Sequence, residues 1–297
     1  MSTPRRSAKD ARLKQIQATD DENVLIEALA DLSPVVVEAA ARRVSKHRAG
    51  GALARAFERL DEGAPASDPG CWARMAILEA LGRLESLEGE EPAFRAVRAV
   101  QVEPVSGGLT DTATGLRVAG ASLLANLRPP GALLDLAWLL HDFEPNATCS
   151  RQERPFAKLA TRQAAARAIG ALGDPAGAAV VAVKLAFPGE ELPDVLAECM
   201  DALAALREPR AVELLTPYLD RRDPYLVAAA GAAIATAGGE RVVPLLVAAL
   251  ERVPAEAQEA LVYAIGSIRA DAAHTALQEL TRHPDPVISK AAKALTE

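Results

Sequence analysis

The chain has 297 residues, a net charge of −7 and a pI near 5.3; half its residues are apolar but only 3% are aromatic. An acidic chain with so few rings lacks the cationic track and the stacking platforms that nucleic-acid binding draws on. Cys71, Cys149 and Cys199 are widely spaced and odd in number, which fits neither a disulfide framework nor a zinc site. With no run of 18 apolar residues, no membrane span is expected, and the thiols suit a reducing cytoplasm.

Residues 1–19 carry Arg5, Arg6, Lys9, Arg12 and Lys14 and lack the apolar core of a signal peptide. They read as a basic flexible tail, with helix from Asp10 onward as an option. From Asn23 helical periodicity hardly stops. The predicted helix pairs are 22–31 with 34–48, 50–61 with 70–85, 92–100 with 112–127, and 130–141 with 155–172. The remaining four are 175–187 with 193–206, 209–219 with 224–237, 241–252 with 254–268, and 271–282 with 286–296. The carboxylates of Asp174-Pro175, Glu208-Pro209, Asp223-Pro224 and Asp285-Pro286 can accept from free backbone N–H groups at helix starts, where proline wastes no donor. Gly173, Gly238 and Gly239 are placed to end helices in the left-handed region.

Alignment of the second helices tests for a repeat. Val44, Leu81, Leu124, Ile169, Leu203, Ile234, Ile265 and Leu295 share one core position, at steps of 37, 43, 45, 34, 31, 31 and 30 residues. In the first helices Leu215, Leu246 and Leu277 are each 31 apart. A unit of about 31 residues is thus set for the C-terminal half, and the N-terminal half has longer loops within its pairs.

Two stretches carry a family resemblance. Arg162-Gln-Ala-Ala-Ala-Arg-Ala-Ile-Gly-Ala-Leu-Gly-Asp-Pro175 and Arg241-Val-Val-Pro-Leu-Leu-Val-Ala-Ala-Leu250 are similar to the short bacterial HEAT repeats, also called phycobilisome-lyase-like HEAT repeats. Neither the Trp-x-x-Leu-Gly-x-x-Tyr run of tetratricopeptide repeats nor the Thr-Pro-Leu-His of ankyrin repeats occurs. The resemblance implies an all-α fold over residues 20–297, a right-handed α-α superhelix (HEAT-like solenoid) of about eight helix pairs. It also implies that Arg74, Arg117 and Arg162, each seven residues before a core position, form a structural ladder with aspartates of neighbouring turns. An anion-binding row is the competing reading of those arginines.

No catalytic constellation is visible: the four histidines lie in different repeats, and His141 beside Asp142 reads as an exposed helix-end histidine. No enzyme activity, cofactor or metal is expected. Two surfaces remain as candidates for binding another protein or peptide. One is the groove lined by second helices, two residues before each core position: Arg42, Glu79, Ser122, Arg167, Asp201, Ala232, Tyr263 and Lys293. Its backing row is Glu38, Met75, Val118, Gln163, Ala197, Ala228, Glu259 and Ser289. The other is the set of long inter-helix loops, about 62–69, 101–111 and 142–154, which should emerge on one edge; the third carries Phe143, Arg151 and Arg154. The expected function is a non-enzymatic interaction scaffold. The same repeat type also admits a HEAT-like DNA glycosylase, which would need a basic concave face, or a bilin lyase-type protein.

Overall fold

The computed structural model describes residues 4–105, 108–142, 159–189 and 191–296, with side chains from Lys9 onward. The fold is all-α apart from one small hairpin, and its helices form two compact units, 1–168 and 169–297. The first unit contains α1 (Pro4–Ala18), α2 (Glu22–Ala28), α3 (Pro34–Ala41), α4 (Gly50–Glu62), α5 (Trp72–Arg83), α6 (Glu90–Arg98), α7 (Thr114–Leu127) and α8 (Ala132–Leu140). Helix α9 (Leu159–Leu172) runs across the boundary between the units. The second unit holds α10 (Ala176–Ala186), α11 (Pro193–Ala205), α12 (Ala211–Leu215), α13 (Pro224–Gly238), α14 (Val243–Ala249), α15 (Ala255–Ser267), α16 (Asp271–Leu280) and α17 (Pro286–Thr296).

Each unit is a two-layer stack of helix pairs. In the first, α3, α5 and α7 pack in succession as one layer, while α4, α6 and α8 form the other. In the second, α11, α13, α15 and α17 follow one another, and α14 packs on α16. The aligned positions explain the regularity: Leu81, Leu124, Ile169, Leu203, Ile234 and Ile265 are completely buried. Leu295, the last of the series, is 36% exposed. Small residues let neighbouring helices approach. A Cβ on Gly120 of α7 would lie 2.8 Å from the Ala96 Cβ of α6, and one on Gly170 of α9 would lie 3.0 Å from the Ala202 Cα of α11.

The helix starts follow the punctuation. Asp223 accepts from the backbone N–H groups of Tyr225 and Leu226, Asp285 from Val287 and Asp174 from Ala176. Glu208 accepts from Arg210. At the other ends, Gly173 (φ 72°) and Gly239 (φ 57°) take the left-handed region, whereas Gly238 remains right-handed as the last residue of α13.

Two expectations need correction. In place of a loose tail, Pro4–Ala18 form α1, which packs on α3; Ile16 is fully buried, and Arg12 pairs with Glu27 at 3.4 Å and Asp31 at 3.8 Å. The loop at 101–111 contains an antiparallel hairpin, β1 (Val102–Val105) with β2 (Gly108–Asp111), in which Val102 faces Asp111 and Pro104 faces Leu109. Finally, by length and composition Pro224–Ala249 could cross a membrane. Here it is broken at Gly239 and α13 is packed between α11 and α15, as a core element.

Candidate functional site

The three arginines of the aligned row are buried, and the first two are bolted in place by the long loops. Asp68, in the loop before α5, accepts from the backbone N–H groups of Ala73 and Arg74, both at 3.0 Å, and from Arg74 Nε at 3.1 Å. Arg74 Nη1 donates to Asp61 at the end of α4 at 2.7 Å, and Nη2 to the side-chain oxygen of Gln101. Arg117 Nη1 lies 2.8 Å from Asp111 and donates to the Ala99 carbonyl at 2.6 Å. Arg162 is fully buried and donates to the Asp142 carbonyl at 3.4 Å. The acids that pair Arg74 and Arg117 therefore come from within the same helix pair, Asp61 from the end of α4 and Asp68 and Asp111 from the turns before α5 and α7; the next pair contributes Gln101. A buried guanidinium requires such acceptors. In the second unit Leu196 takes the place of the arginine, and a different buried pair appears: Lys184 of α10 meets Glu191 at 2.6 Å.

The hairpin is anchored by the same network. Glu103 accepts from the Gly70 N–H at 2.9 Å, from Gln101 Nε2 at 3.1 Å, and from the Thr112 hydroxyl. The Thr112 hydrogen bond leads the effects that hold its carboxyl below the usual range. Gln101 also donates to the Asp68 carbonyl at 3.1 Å, so the loop of one repeat is tied to the loop of the next. Trp72, at the start of α5, folds its indole back over Gly70: a Cβ there would meet the indole nitrogen at 2.6 Å.

On this loop edge of the first unit a cleft of about 570 Å³ opens between the ends of α6 and α8. Val100, Leu134 and Trp138 supply apolar wall; Arg98, Asp135, His141 and Asp142 supply a polar rim, and Arg117 reaches it from α7. Arg98 is clamped to Asp135 through Nε at 2.5 Å and Nη2 at 2.8 Å. The chain has two tryptophans, and both are exposed on this edge: Trp72 by 58% and Trp138 by 74%. Val100 and Leu134 line the cleft with Trp138, and Val102, Val105 and Leu109 of the hairpin are exposed as well. Tryptophan is highly buried on average, and a cluster of exposed apolar side chains rimmed by polar groups marks an interaction surface.

Of the groove row, Glu79, Ser122, Arg167, Asp201, Ala232, Tyr263 and Lys293 are exposed on second helices, and Arg42 is exposed just past the end of α3. Within it, Arg42 lies 3.1 Å from Glu38 and 3.6 Å from Glu79. Partial desolvation raises the carboxyl of Asp201 although the residue as a whole is exposed. Of the loop residues singled out, Phe143, Arg151 and Arg154 lie outside the described residues, while His141 and Asp142 belong to the cleft. Sequence reasoning did not single out Trp138, Leu134 or Val100. Their signal was available: Trp138 sits in the apolar run Leu133-Leu-Asp-Leu-Ala-Trp-Leu-Leu140, which holds more bulky residues than one helix face can bury.

Comparison with known proteins agrees with the repeat reading. The family model described as PBS lyase HEAT-like repeat matches residues 195–221, from α11 to just past α12. No curated protein matches. Among solved structures, the chain is similar to the complex of CpcE and CpcF of phycocyanin lyase from Nostoc sp., at 18% identity and a TM-score of 0.46, covering 81% of this chain and 93% of that one. It is also similar to human deoxyhypusine hydroxylase in complex with glycerol, at 14% identity and a TM-score of 0.34, covering 97% and 96%. A designed armadillo repeat protein aligns at 16% identity and a TM-score of 0.33, covering 92% and 97%.

Proposed function

We propose that this chain is a non-enzymatic interaction scaffold that binds another protein through the loop edge of its first unit. The observation that carries the reading is the exposure of both tryptophans on that edge, one of them forming the wall of the cleft. The repeat stack supplies a rigid frame, and the buried arginine network fixes the loops that present the apolar groups. On the second-helix face, the other candidate, Arg42 is already paired with Glu38 and Glu79.

The test is an affinity capture with three versions of the full chain, each checked for helical content: wild type, Leu134→Ser with Trp138→Ser, and Arg167→Ser with Tyr263→Ser. A partner retained by wild type and by the Arg167/Tyr263 variant, but lost by the Leu134/Trp138 variant, is expected. Loss from the Arg167/Tyr263 variant alone would move the site to the second-helix face.

The match to the PBS lyase HEAT-like repeat supports a second reading, a bilin lyase-type protein. A visible absorbance change on mixing the chain with a free bilin would favour it over the scaffold.

A further inference from the structure

In the second unit the segment just past each first helix is tied to its predecessor. The Tyr218 hydroxyl, beyond α12, donates to the Leu185 carbonyl of α10 at 2.7 Å. Arg252, beyond α14, donates to Asp220 at 2.8 Å. His283, beyond α16, meets Glu251 through Nε2 at 3.2 Å. The three ties span 33, 32 and 32 residues, one repeat each. Tyrosine, arginine and aspartate keep their charge states around neutral pH, whereas histidine changes its own there.

The other ring nitrogen decides what that change does. In the run His283-Pro-Asp-Pro286 the prolines carry no N–H, which leaves Asp285 the sole backbone donor of Pro284–Pro286. That N–H donates to His283 Nδ1 at 3.1 Å. A backbone donor fixes the tautomer: Nδ1 is bare, and the proton of the neutral ring sits on Nε2, facing Glu251. Asp285 also starts α17. Its carboxylate accepts from the Val287 N–H at 2.8 Å and its carbonyl from the Ser289 N–H at 3.0 Å. The ring therefore holds the residue that caps the helix.

Protonation sets two effects against each other. A second ring proton, on Nδ1, faces the Asp285 N–H as donor against donor, and a part-buried hydrogen bond is lost. The imidazolium gains an ion pair with Glu251, but that side chain is 75% exposed, where such a pair contributes little. Of the other charges near the turn, Arg252 is paired with Asp220, Asp285 serves the start of its own helix, and Arg282 is exposed. The loss outweighs the gain. We propose that His283 is a pH-sensitive clasp on α17. Neutral, it holds the Pro284–Pro286 turn and the helix cap; protonated, it releases both, while the Arg252–Asp220 tie stays closed.

The test is NMR on the full ¹⁵N-labelled chain between about pH 8 and about pH 5, the range over which a histidine changes charge. At the upper end the ring nitrogens of His283 should report a bare Nδ1 and a protonated Nε2. On acidification the Asp285 amide proton should shift upfield as its bond opens. Exchange protection of the Val287 and Ser289 amides should then fall roughly tenfold, the worth of one hydrogen bond. In His283→Gln both readouts should become independent of pH, and in Glu251→Gln both should respond as in wild type. A proton on Nδ1 at the upper end would overturn the proposal without recourse to any variant. So would an Asp285 shift that persists in His283→Gln, which would assign the response to another group. Protection that holds or rises on acidification, or a response lost in Glu251→Gln, would show the ion pair to dominate and would contradict the clasp.

Discussion

Arg74 shows how much of this fold depends on single side chains. It is 2% exposed and joins α4, α5 and the loops before and after them through Asp61, Asp68 and Gln101. Removing it leaves Asp68 buried without its cation, so Arg74→Met should cost about 3–5 kcal/mol in denaturant unfolding. Arg74→Lys should recover only part of this, since an ammonium cannot reproduce the fork. By contrast, Arg210, in an exposed pair with Glu213, should tolerate Ala with no measurable loss. The buried thiols give a pH signature. Burial pushes Cys199 from 9.0 up to about 12 and Cys71 from 9.0 up to about 11. The fold holds the protonated form, so this stability is fully present below pH 9.0 and is lost as pH rises toward those values. The slope should approach about 1.4 kcal/mol per pH unit per thiol. Cys199→Ala should flatten it in unfolding curves measured between pH 8 and pH 11; an unchanged slope would contradict the assignment.

At the scale of elements, close packing between helices sets which glycines can change. Gly82 in α5 has its nearest Cβ neighbours at 3.7 Å, so Gly82→Ala should stabilise by about 0.5–1 kcal/mol through helix propensity. The same change at Gly120 meets Ala96 at 2.8 Å and the Ala93 carbonyl at 3.1 Å, and should cost about 1–3 kcal/mol despite that propensity. Paired thermal melts of the two variants check the sign at each position. The helix pairs were legible because core residues recur at a fixed step and Asp-Pro turns mark the starts; each of these is a local signal. The hairpin at 102–111 was not, since its strands are four residues long and its stability comes from Glu103 reaching Gly70 and Thr112, contacts invisible to periodicity. Helix α1 was legible only as an option from Asp10 onward, because its polar sequence hides Ile16, which is fully buried.

At the scale of the molecule, repeat quality and function diverge. The copies nearest the consensus build the stack, and the candidate surface lies where loops lengthen and bulky side chains exceed what the stack can bury. Loop length in the sequence directs attention to the edge that holds the cleft, and His141 and Asp142 line it. For Trp138 the signal was partial: the run Leu133–Leu140 holds more bulky residues than one helix face can bury, but which of them faces outward is set only when the neighbouring helix is placed. Once a partner is known, Trp138→Ser should weaken its binding by roughly 2 kcal/mol or more, about thirtyfold in Kd by calorimetry, as expected for a central aromatic anchor. The most direct test of the whole account is site-specific photo-crosslinking in cells, with the photoreactive residue at position 138 in one version and at position 263 in another. The account predicts a discrete protein adduct from position 138 and none from position 263. An adduct from position 263 with none from position 138 would contradict it.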